Sequence, residues 1–384
     1  MKRLKRILLG LFGVIALFIS GLYLTDTDYL LRAVRVTYLN GHKTAFIDDH
    51  PYFDNDEVAV GQAQEWPLHK AYNSVKPTDR LEKEHQKLGT AAFLIIKNDS
   101  IWYERYYDHY SDSSNTNSFS VAKSIVTSAL GRAIKQGKIE SLDTPVGSLL
   151  PGYTTEFARQ LTVGHLASMT AGLDWDEAYY SPLSITTRAY FDSDLAELML
   201  SLGIIKQPGQ VFEYSSGSTQ LLAMCIEKAV GMPLAKYVSQ EFWKPMGAKH
   251  QAYWQKDSEE GMVKAYCCFA TNARDFARFG KLYAHHGRWE GKQILDSAYV
   301  AKSTTPYLEA SPEYGLGWWL FDYKGKKGYY MRGHLGQYVA VIPEDHLVMV
   351  RLGDHGNTKK EGEKHGTDFI LYLDEMYNML NATK

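Results

Sequence analysis

The chain has 384 residues, of which 45% are hydrophobic and 22% are charged. This composition is typical of a globular protein with a large core and excludes a disordered chain. Its 42 Lys and Arg residues against 44 Asp and Glu give a formal net charge of −2, which argues against nucleic-acid binding.

The first element is a membrane signal. Lys or Arg occupies four of the first six positions, and residues 7–24 follow without a charge. Such a stretch is long enough to cross a bilayer, and basic residues remain on the cytoplasmic side. We therefore predict a cytoplasmic segment at residues 1–6 and a single-pass signal-anchor at residues 7–24. The remaining chain is then periplasmic or extracellular. A cleaved signal peptide is the alternative, although no clean small-x-small cleavage site ends the stretch.

Residues 25–75 are mixed and poorly periodic, and we interpret them as a stalk and lead-in. From residue 76 the pattern becomes regular. A helix is predicted near Thr78–Lys87, and a β-hairpin follows at residues 91–96 and 101–107 around a polar turn.

Helical spacing begins at Ser120 and continues to about Gln136. Helical segments then dominate a block at about 138–300. Four strands return at residues 317–323, 329–334, 338–342 and 347–352, and an amphipathic helix is predicted at 367–380. Strands at both ends of one region can share an antiparallel sheet, so the fold class is α+β with an inserted helical subdomain.

The chain has three cysteines, Cys225, Cys267 and Cys268. The count is odd and two are adjacent, so a disulfide framework is not expected and all three are interpreted as packing residues. A single bridge from Cys225 to the later pair stays open. No Cys-x-x-Cys pair is present to suggest zinc.

The first chemical motif is Ser120-Val-Ala-Lys123, at the start of the predicted helix. Residues three apart share a helix face, and a helix N-terminus offers N–H groups to a developing oxyanion. Burial lowers the pKa of a lysine, which would let Lys123 act as the base for a Ser120 nucleophile. Alone, this pattern equally fits an N-cap serine beside an unrelated lysine.

Two weaker motifs follow in order. Tyr214-Ser-Ser216 could relay a proton to a leaving group, and His334-Leu-Gly336, followed by Gln337, ends a predicted strand. A glycine on a strand admits a ligand backbone, and the next N–H could serve an oxyanion. Each motif alone also fits ordinary packing.

Together with longer stretches, these motifs resemble the serine β-lactamase and penicillin-binding-protein superfamily. The similar stretches are FSVAKS at 119–124, LTVGHLASMTAGL at 161–173, PGQVFEYSS at 208–216, ARDFARFG at 273–280, YGLGW at 314–318 and GHLG at 333–336. The resemblance is greatest to class C-like serine hydrolases of the esterase and 6-aminohexanoate-dimer hydrolase type, and it extends from about residue 90 to 380.

The resemblance implies a β-lactamase/transpeptidase-like fold, with an antiparallel sheet flanked by terminal helices, in a hydrolase domain at 76–384. It implies that Ser120 is acylated, that Lys123 is its base or keeps Tyr214 deprotonated, and that Tyr214 protonates the leaving group. The N–H groups of Ser120 and Gln337 would form the oxyanion hole. Ser216, His334 and Gly336 would contact substrate, and neither metal nor cofactor is required.

Two departures from the family pattern shift the expected substrate. His334 and Leu335 stand where β-lactam-active members carry the Lys and Thr of Lys-Thr-Gly, and Ser216 replaces the usual Asn. Contacts that would hold a β-lactam carboxylate are therefore missing. We expect a membrane-anchored hydrolase of a small ester or amide, including a linear 6-aminohexanoate-like amide. A D-Ala-D-Ala-type peptidase and a catalytically silent binding protein on the same fold are the alternatives.

Overall fold

The computed structural model describes residues 2–360 and 362–382. Residue 1 of the predicted basic segment, and residues 361, 383 and 384 of the predicted hydrolase domain, lie outside the described residues. The described helices are α1 Lys2–Leu24, α2 Tyr29–Val36, α3 Asp79–Lys87, α4 Ala122–Lys135, α5 Val146–Leu149, α6 Val163–Ala167, α7 Ile185–Phe191, α8 Leu195–Ser201, α9 Ser216–Val230, α10 Leu234–Val238, α11 Ala273–Ala284, α12 Ser297–Ser303 and α13 Thr367–Asn381. The described strands are β1 Asn55–Val58, β2 Thr90–Lys97, β3 Ser100–Tyr106, β4 Thr116–Asn117, β5 Ala252–Gln255, β6 Phe269–Thr271, β7 Arg288–Trp289, β8 Lys292–Gln293, β9 Trp319–Tyr323, β10 Lys326–Gly333, β11 Gln337–Ile342 and β12 Leu347–Gly353.

The central sheet joins strands from residues 90–106 with strands from residues 319–353. Its strand order is β3-β2-β12-β11-β10-β9, and each neighbouring pair is antiparallel. The predicted hairpin thus lies beside the four late strands, with Leu94 opposite Val350. This arrangement confirms the predicted α+β fold with an insertion between the two sets of strands.

Both faces of the central sheet are covered, which explains the uninterrupted apolar sequence of β2. Leu94 and Ile96 pack in the core shared with α4 and α11, whereas Phe93 and Ile95 pack with the apolar face of α13. A strand buried on both faces has no polar alternation to preserve. The helix α3 packs beside α13, and its Thr78 N-cap accepts a hydrogen bond from the Leu81 N–H.

The N-terminal helix α1 is long and apolar enough to be a signal anchor or a membrane span.

The segment at residues 25–75 is part of the folded body, although the sequence suggested a stalk and lead-in. Its buried hydrophobic side chains are Tyr29, Val36, Phe46, Ile47, Phe53, Val58 and Trp66. The lead-in therefore shares a hydrophobic core with the helical insertion.

A second sheet, not foreseen from the sequence, crosses the predicted helical block. Its order is β1-β5-β6-β4, so it joins the lead-in, the residues just before Ser120 and the insertion. The register pairs Asn55 with Gln255 and Asn117 with Ala270. The block at about 138–300 is thus mainly helical but also supplies strands that support the site.

Candidate active site

Ser120 lies in a tight turn between β4 and α4. Phe119 to Val121 form a single 3₁₀ turn, and α4 begins at Ala122, two residues later than predicted. Phe119 has φ +48°, and its N–H donates to the Asn117 Oδ1 at 2.9 Å. The Asn117 amide in turn donates to Asp49 of the lead-in at 2.8 Å. The second sheet and the lead-in therefore hold the turn that presents Ser120.

Lys123 is the centre of the polar network. Its Nζ lies 2.9 Å from the Ser120 Oγ, and it also contacts the Ser216 Oγ and the Tyr266 carbonyl oxygen at 2.9 Å each. The side chain is 1% exposed. Burial lowers the pKa of Lys123 to about 8, while the charge of Glu177 acts in the opposite direction. A lysine with this pKa is partly neutral near physiological pH and can accept a proton.

Tyr214 lies on the other side of Ser120. Tyr214 and Ser120 line the same pocket, and the Tyr214 ring centroid lies 5.0 Å from the Lys123 Nζ. Burial raises the pKa of Tyr214 above its ordinary value, and Glu177 adds to the increase. The phenol is therefore neutral at physiological pH and is placed to donate its proton.

Glu177 is a residue of the site that sequence reasoning missed. Its carboxylate accepts hydrogen bonds from the Ser216 hydroxyl at 2.6 Å and the Ser216 N–H at 2.8 Å. The Trp175 indole N–H and the Tyr179 hydroxyl donate to it at 2.7 and 2.6 Å. Glu177 is thus connected to Lys123 through the single hydroxyl of Ser216. Glu177 lies in a loop, where the sequence has no periodicity. Because Asp174 and Asp176 are also acidic, no feature of the sequence distinguished Glu177 from its neighbours.

Only part of the predicted His334-Leu-Gly336 motif lies beside Ser120. The His334 side chain lines the pockets beside Ser120, with its ring 5.0 Å from that of Tyr179 and 5.6 Å from that of Phe119. Burial lowers the pKa of His334 to about 4, so the imidazole is neutral at physiological pH. His334 thus cannot supply the cation of a Lys-Thr-Gly motif.

Gly336 and Gln337 are not among the residues that line the described pockets beside Ser120. The Gln337 amide donates to the carbonyl oxygens of His334 at 3.1 Å and Gly353 at 2.6 Å, which fixes the turn between β10 and β11. The residues around this motif that do line a pocket beside Ser120 are Arg332 and Gly333 at the end of β10, and His334 directly after it. The oxyanion role of Gln337 stays a prediction.

The adjacent cysteines form a disulfide, which the sequence had not led us to expect. Cys267 and Cys268 are bridged, and Cys225 is a free, buried thiol. Cys268 has φ +69°, and Cys267 lines the pocket beside Ser120. The bridge directly follows Tyr266, whose carbonyl oxygen accepts the Lys123 hydrogen bond. The disulfide thus fixes the backbone that holds the lysine.

The arrangement combines a serine hydroxyl, a lysine with a lowered pKa and a neutral phenol. These groups can accept a proton from Ser120, hold it and return it to a departing group. Among residues 2–360 and 362–382, no cluster of three His, Cys, Asp or Glu side chains is placed to hold a metal ion.

Comparison with protein-family models gives a match over residues 78–369 to the model described as Beta-lactamase. A 6-aminohexanoate-dimer hydrolase from Paenarthrobacter ureafaciens is 24% identical over 62% of this chain and 66% of its own length. A Bacillus subtilis (strain 168) protein, provisionally assigned as a penicillin-binding protein, is 25% identical over 50% of this chain and 49% of its own. The chain therefore spans less than two thirds of the length of either relative.

A solved structure from Bacillus anthracis, provisionally assigned as a 6-aminohexanoate-dimer hydrolase, has the same fold. It superposes with a TM-score of 0.71 at 20% identity, covering 91% of this chain and 93% of that chain.

Proposed function

Because the chain belongs to the Beta-lactamase family, we propose that it hydrolyses an ester or amide through an acyl-enzyme on Ser120. One observation supports this most directly. A buried lysine with a pKa of about 8 lies 2.9 Å from the hydroxyl of Ser120. Burial of an amine costs folding stability. In a silent binding protein no catalytic gain would offset that cost.

In the proposed acylation, the neutral Lys123 amine accepts the Ser120 proton as Oγ forms a bond to the substrate carbonyl carbon. The bond to the leaving oxygen or nitrogen then breaks, and the Tyr214 hydroxyl donates its proton to that atom. The proton held by Lys123 restores the phenol. Because burial raises the pKa of Tyr214, we favour Lys123 as the base over a role in keeping Tyr214 deprotonated.

Deacylation completes the proposed cycle. Water attacks the acyl ester and breaks its bond to Oγ, which releases the carboxylic acid and returns the proton to Ser120. Ser216 keeps Lys123 directed at Ser120, and Glu177 fixes Ser216 by two hydrogen bonds. The Glu177 charge also offsets part of the effect of burial on Lys123.

We further propose that α1 anchors the protein in a membrane with the catalytic body outside the cytoplasm. The basic residues before the apolar stretch support this orientation. Fusion of a reporter that is active only outside the cytoplasm to the C-terminus tests it.

The enzymatic proposal is tested with the full-length chain, a fluorophosphonate probe and p-nitrophenyl butyrate. We expect labelling and turnover by the wild type and neither by Ser120→Ala. Absence of both in the folded wild type would remove the hydrolase proposal. Labelling by a fluorescent penicillin, without ester turnover, would instead favour the peptidase alternative.

A further inference from the structure

Ser120 lies between two pockets of opposite character. One is apolar, and the rings of Phe119, Tyr179, Tyr190 and Phe191 form much of its wall. The other contains Tyr214 and Trp319 together with three cations, Arg332, Lys359 and Lys364. A substrate held across Ser120 must therefore present one apolar end and one polar end.

The apolar pocket continues toward the N-terminal helices. It shares Thr44, Tyr179, Thr187 and Phe191 with a groove on the surface. Further along, the groove is lined by apolar side chains of α1 and α2, namely Phe18, Leu22, Leu30, Leu31 and Val34. An apolar path therefore runs from Ser120 to the helix that carries the membrane signal, which suits a linear acyl chain.

The cationic pocket has more positive charge than its carboxylates neutralise. Glu313 pairs with Lys364 at 2.7 Å, and Glu177 is held by Ser216, Tyr179 and Trp175. Among the described residues, no carboxylate forms a salt bridge with Arg332 or Lys359. Partial burial and the neighbouring charges of Arg332 and Lys364 lower the pKa of Lys359 to about 8.

Arg332 is held in place without being neutralised. Its guanidinium stacks on the Trp319 ring at 3.2 Å, and Nη1 donates to the Tyr330 hydroxyl at 3.3 Å and the Lys364 carbonyl oxygen at 3.0 Å. A fixed guanidinium beside Lys359, whose Nζ lies 5.4 Å from the centroid of the same Trp319 ring, is a suitable receptor for a carboxylate.

The position of Tyr214 decides which end of the substrate enters which pocket. Tyr214 lines the cationic pocket and is absent from the lining of the apolar pocket. In the proposed function Tyr214 protonates the leaving group, so the leaving group occupies the cationic pocket. The acyl group then extends into the apolar pocket. This assignment rests on the proposed function.

We propose that the substrate is an amphiphile, namely a long-chain acyl ester or amide whose leaving group carries a carboxylate. The acyl chain lies in the apolar pocket and its groove, and the carboxylate contacts Arg332 and Lys359. Hydrolysis consumes water and yields a fatty acid and a carboxylate-bearing alcohol or amine.

Four matched esters test the proposal with the full-length chain in lipid nanodiscs. They are the octanoyl and acetyl esters of 4-hydroxybenzoate and of its neutral methyl ester, followed by chromatographic detection of the released phenol. We expect kcat/KM to be highest for the octanoyl ester of 4-hydroxybenzoate. Its advantage over the neutral octanoyl ester should be roughly tenfold, as expected for one charge-assisted contact.

Two variants with matched controls assign the effects to the pockets. Lys359→Gln should reduce the preference for the carboxylate to the part that Arg332 alone supplies, whereas Lys360→Gln, at a neighbour that lines neither pocket, should keep the full preference. Thr44→Trp should lower the octanoyl-to-acetyl ratio of kcat/KM roughly tenfold, because the larger side chain would occupy the space where the apolar pocket meets the groove. Thr155→Trp, at an exposed position away from both pockets, should leave that ratio unchanged.

The outcomes separate the two proposals. If no ester is turned over and the fluorophosphonate does not label Ser120, the proposed function fails. If all four esters react with equal kcat/KM, the hydrolase stands and the amphiphilic substrate is overturned. Preferences that persist in both Lys359→Gln and Thr44→Trp would overturn the assignment of the pockets.

Discussion

Replacing Glu177 by Gln tests whether its carboxylate tunes the base. Lys123 and Glu177 are joined through the Ser216 Oγ by hydrogen bonds of 2.9 and 2.6 Å. The negative charge favours the ammonium form of Lys123 and therefore opposes the effect of burial. Gln keeps the size of the side chain but removes the charge, so a larger fraction of Lys123 becomes neutral at any given pH.

The size of the effect follows from Coulomb's law. Two unit charges at roughly 5 Å, in an effective dielectric of about 20, attract by about 3 kcal/mol. Loss of that attraction corresponds to lowering the pKa of the lysine by about 2. Acylation requires the neutral amine, so in the wild type kcat/KM rises with pH through about 8. In Glu177→Gln the same rise should occur about 2 pH units lower.

The assay is kcat/KM for p-nitrophenyl butyrate between pH 5 and pH 10, corrected for spontaneous hydrolysis. The midpoint of the rise reports the pKa, even if lost hydrogen bonds lower the maximal rate. Glu177→Asp, which keeps the charge, should lie close to the wild type. So should Glu313→Gln, which removes a carboxylate paired with Lys364. An unmoved midpoint in Glu177→Gln would refute electrostatic coupling between Glu177 and Lys123.

Three further predictions concern the other parts of the site and its support. Lys123→Ala should slow acylation by roughly 10³-fold while circular dichroism remains native, since only the base is lost; an unchanged acylation rate would exclude Lys123 from the mechanism. Tyr214→Phe should slow an anilide much more than the p-nitrophenyl ester of the same acid, because p-nitrophenolate leaves without a proton; equal losses would contradict the leaving-group role. Asp49→Ala should lower the unfolding free energy by about 3 kcal/mol or more, because Asn117, Tyr190 and Gln255 lose a buried acceptor. The exposed Glu57→Ala is its control in denaturant titration, and equal stability of the two variants would contradict a structural role for the lead-in.

The central sheet could be predicted because each of its strands carries its own signal. The run at 91–96 and the four late strands are apolar, bounded by turns, and close to the observed elements. The strands of the second sheet are not of this kind. The strands β4 and β6 have two and three residues, and β1 finds β5 almost two hundred positions later. Such pairing depends on tertiary packing, and strands this short show no hydrophobic periodicity in the sequence.

The candidate serine and lysine could be predicted because Ser120 and Lys123 are neighbours on one turn. Glu177 reaches the same network from a separate loop, so no spacing in the sequence connects it to Lys123. For Gln337 the motif predicts an oxyanion role of the backbone N–H, and that role stays a prediction. Its side chain donates to the carbonyl oxygens of His334 in the turn and of Gly353 at the end of β12. Short-range motifs thus predict the serine–lysine pair better than the groups that surround it.

The Cys267–Cys268 disulfide links the backbone that holds Lys123 to the redox conditions in which the chain folds. A bridge between neighbouring cysteines closes a small ring through the peptide bond that joins them, and it persists in oxidising compartments rather than in the cytosol. Here that ring directly follows the carbonyl group that receives the Lys123 hydrogen bond. Protein produced in a reducing cytosol would carry two thiols at this position and a freer backbone. Enzyme prepared with and without reductant should therefore be treated as two chemical species.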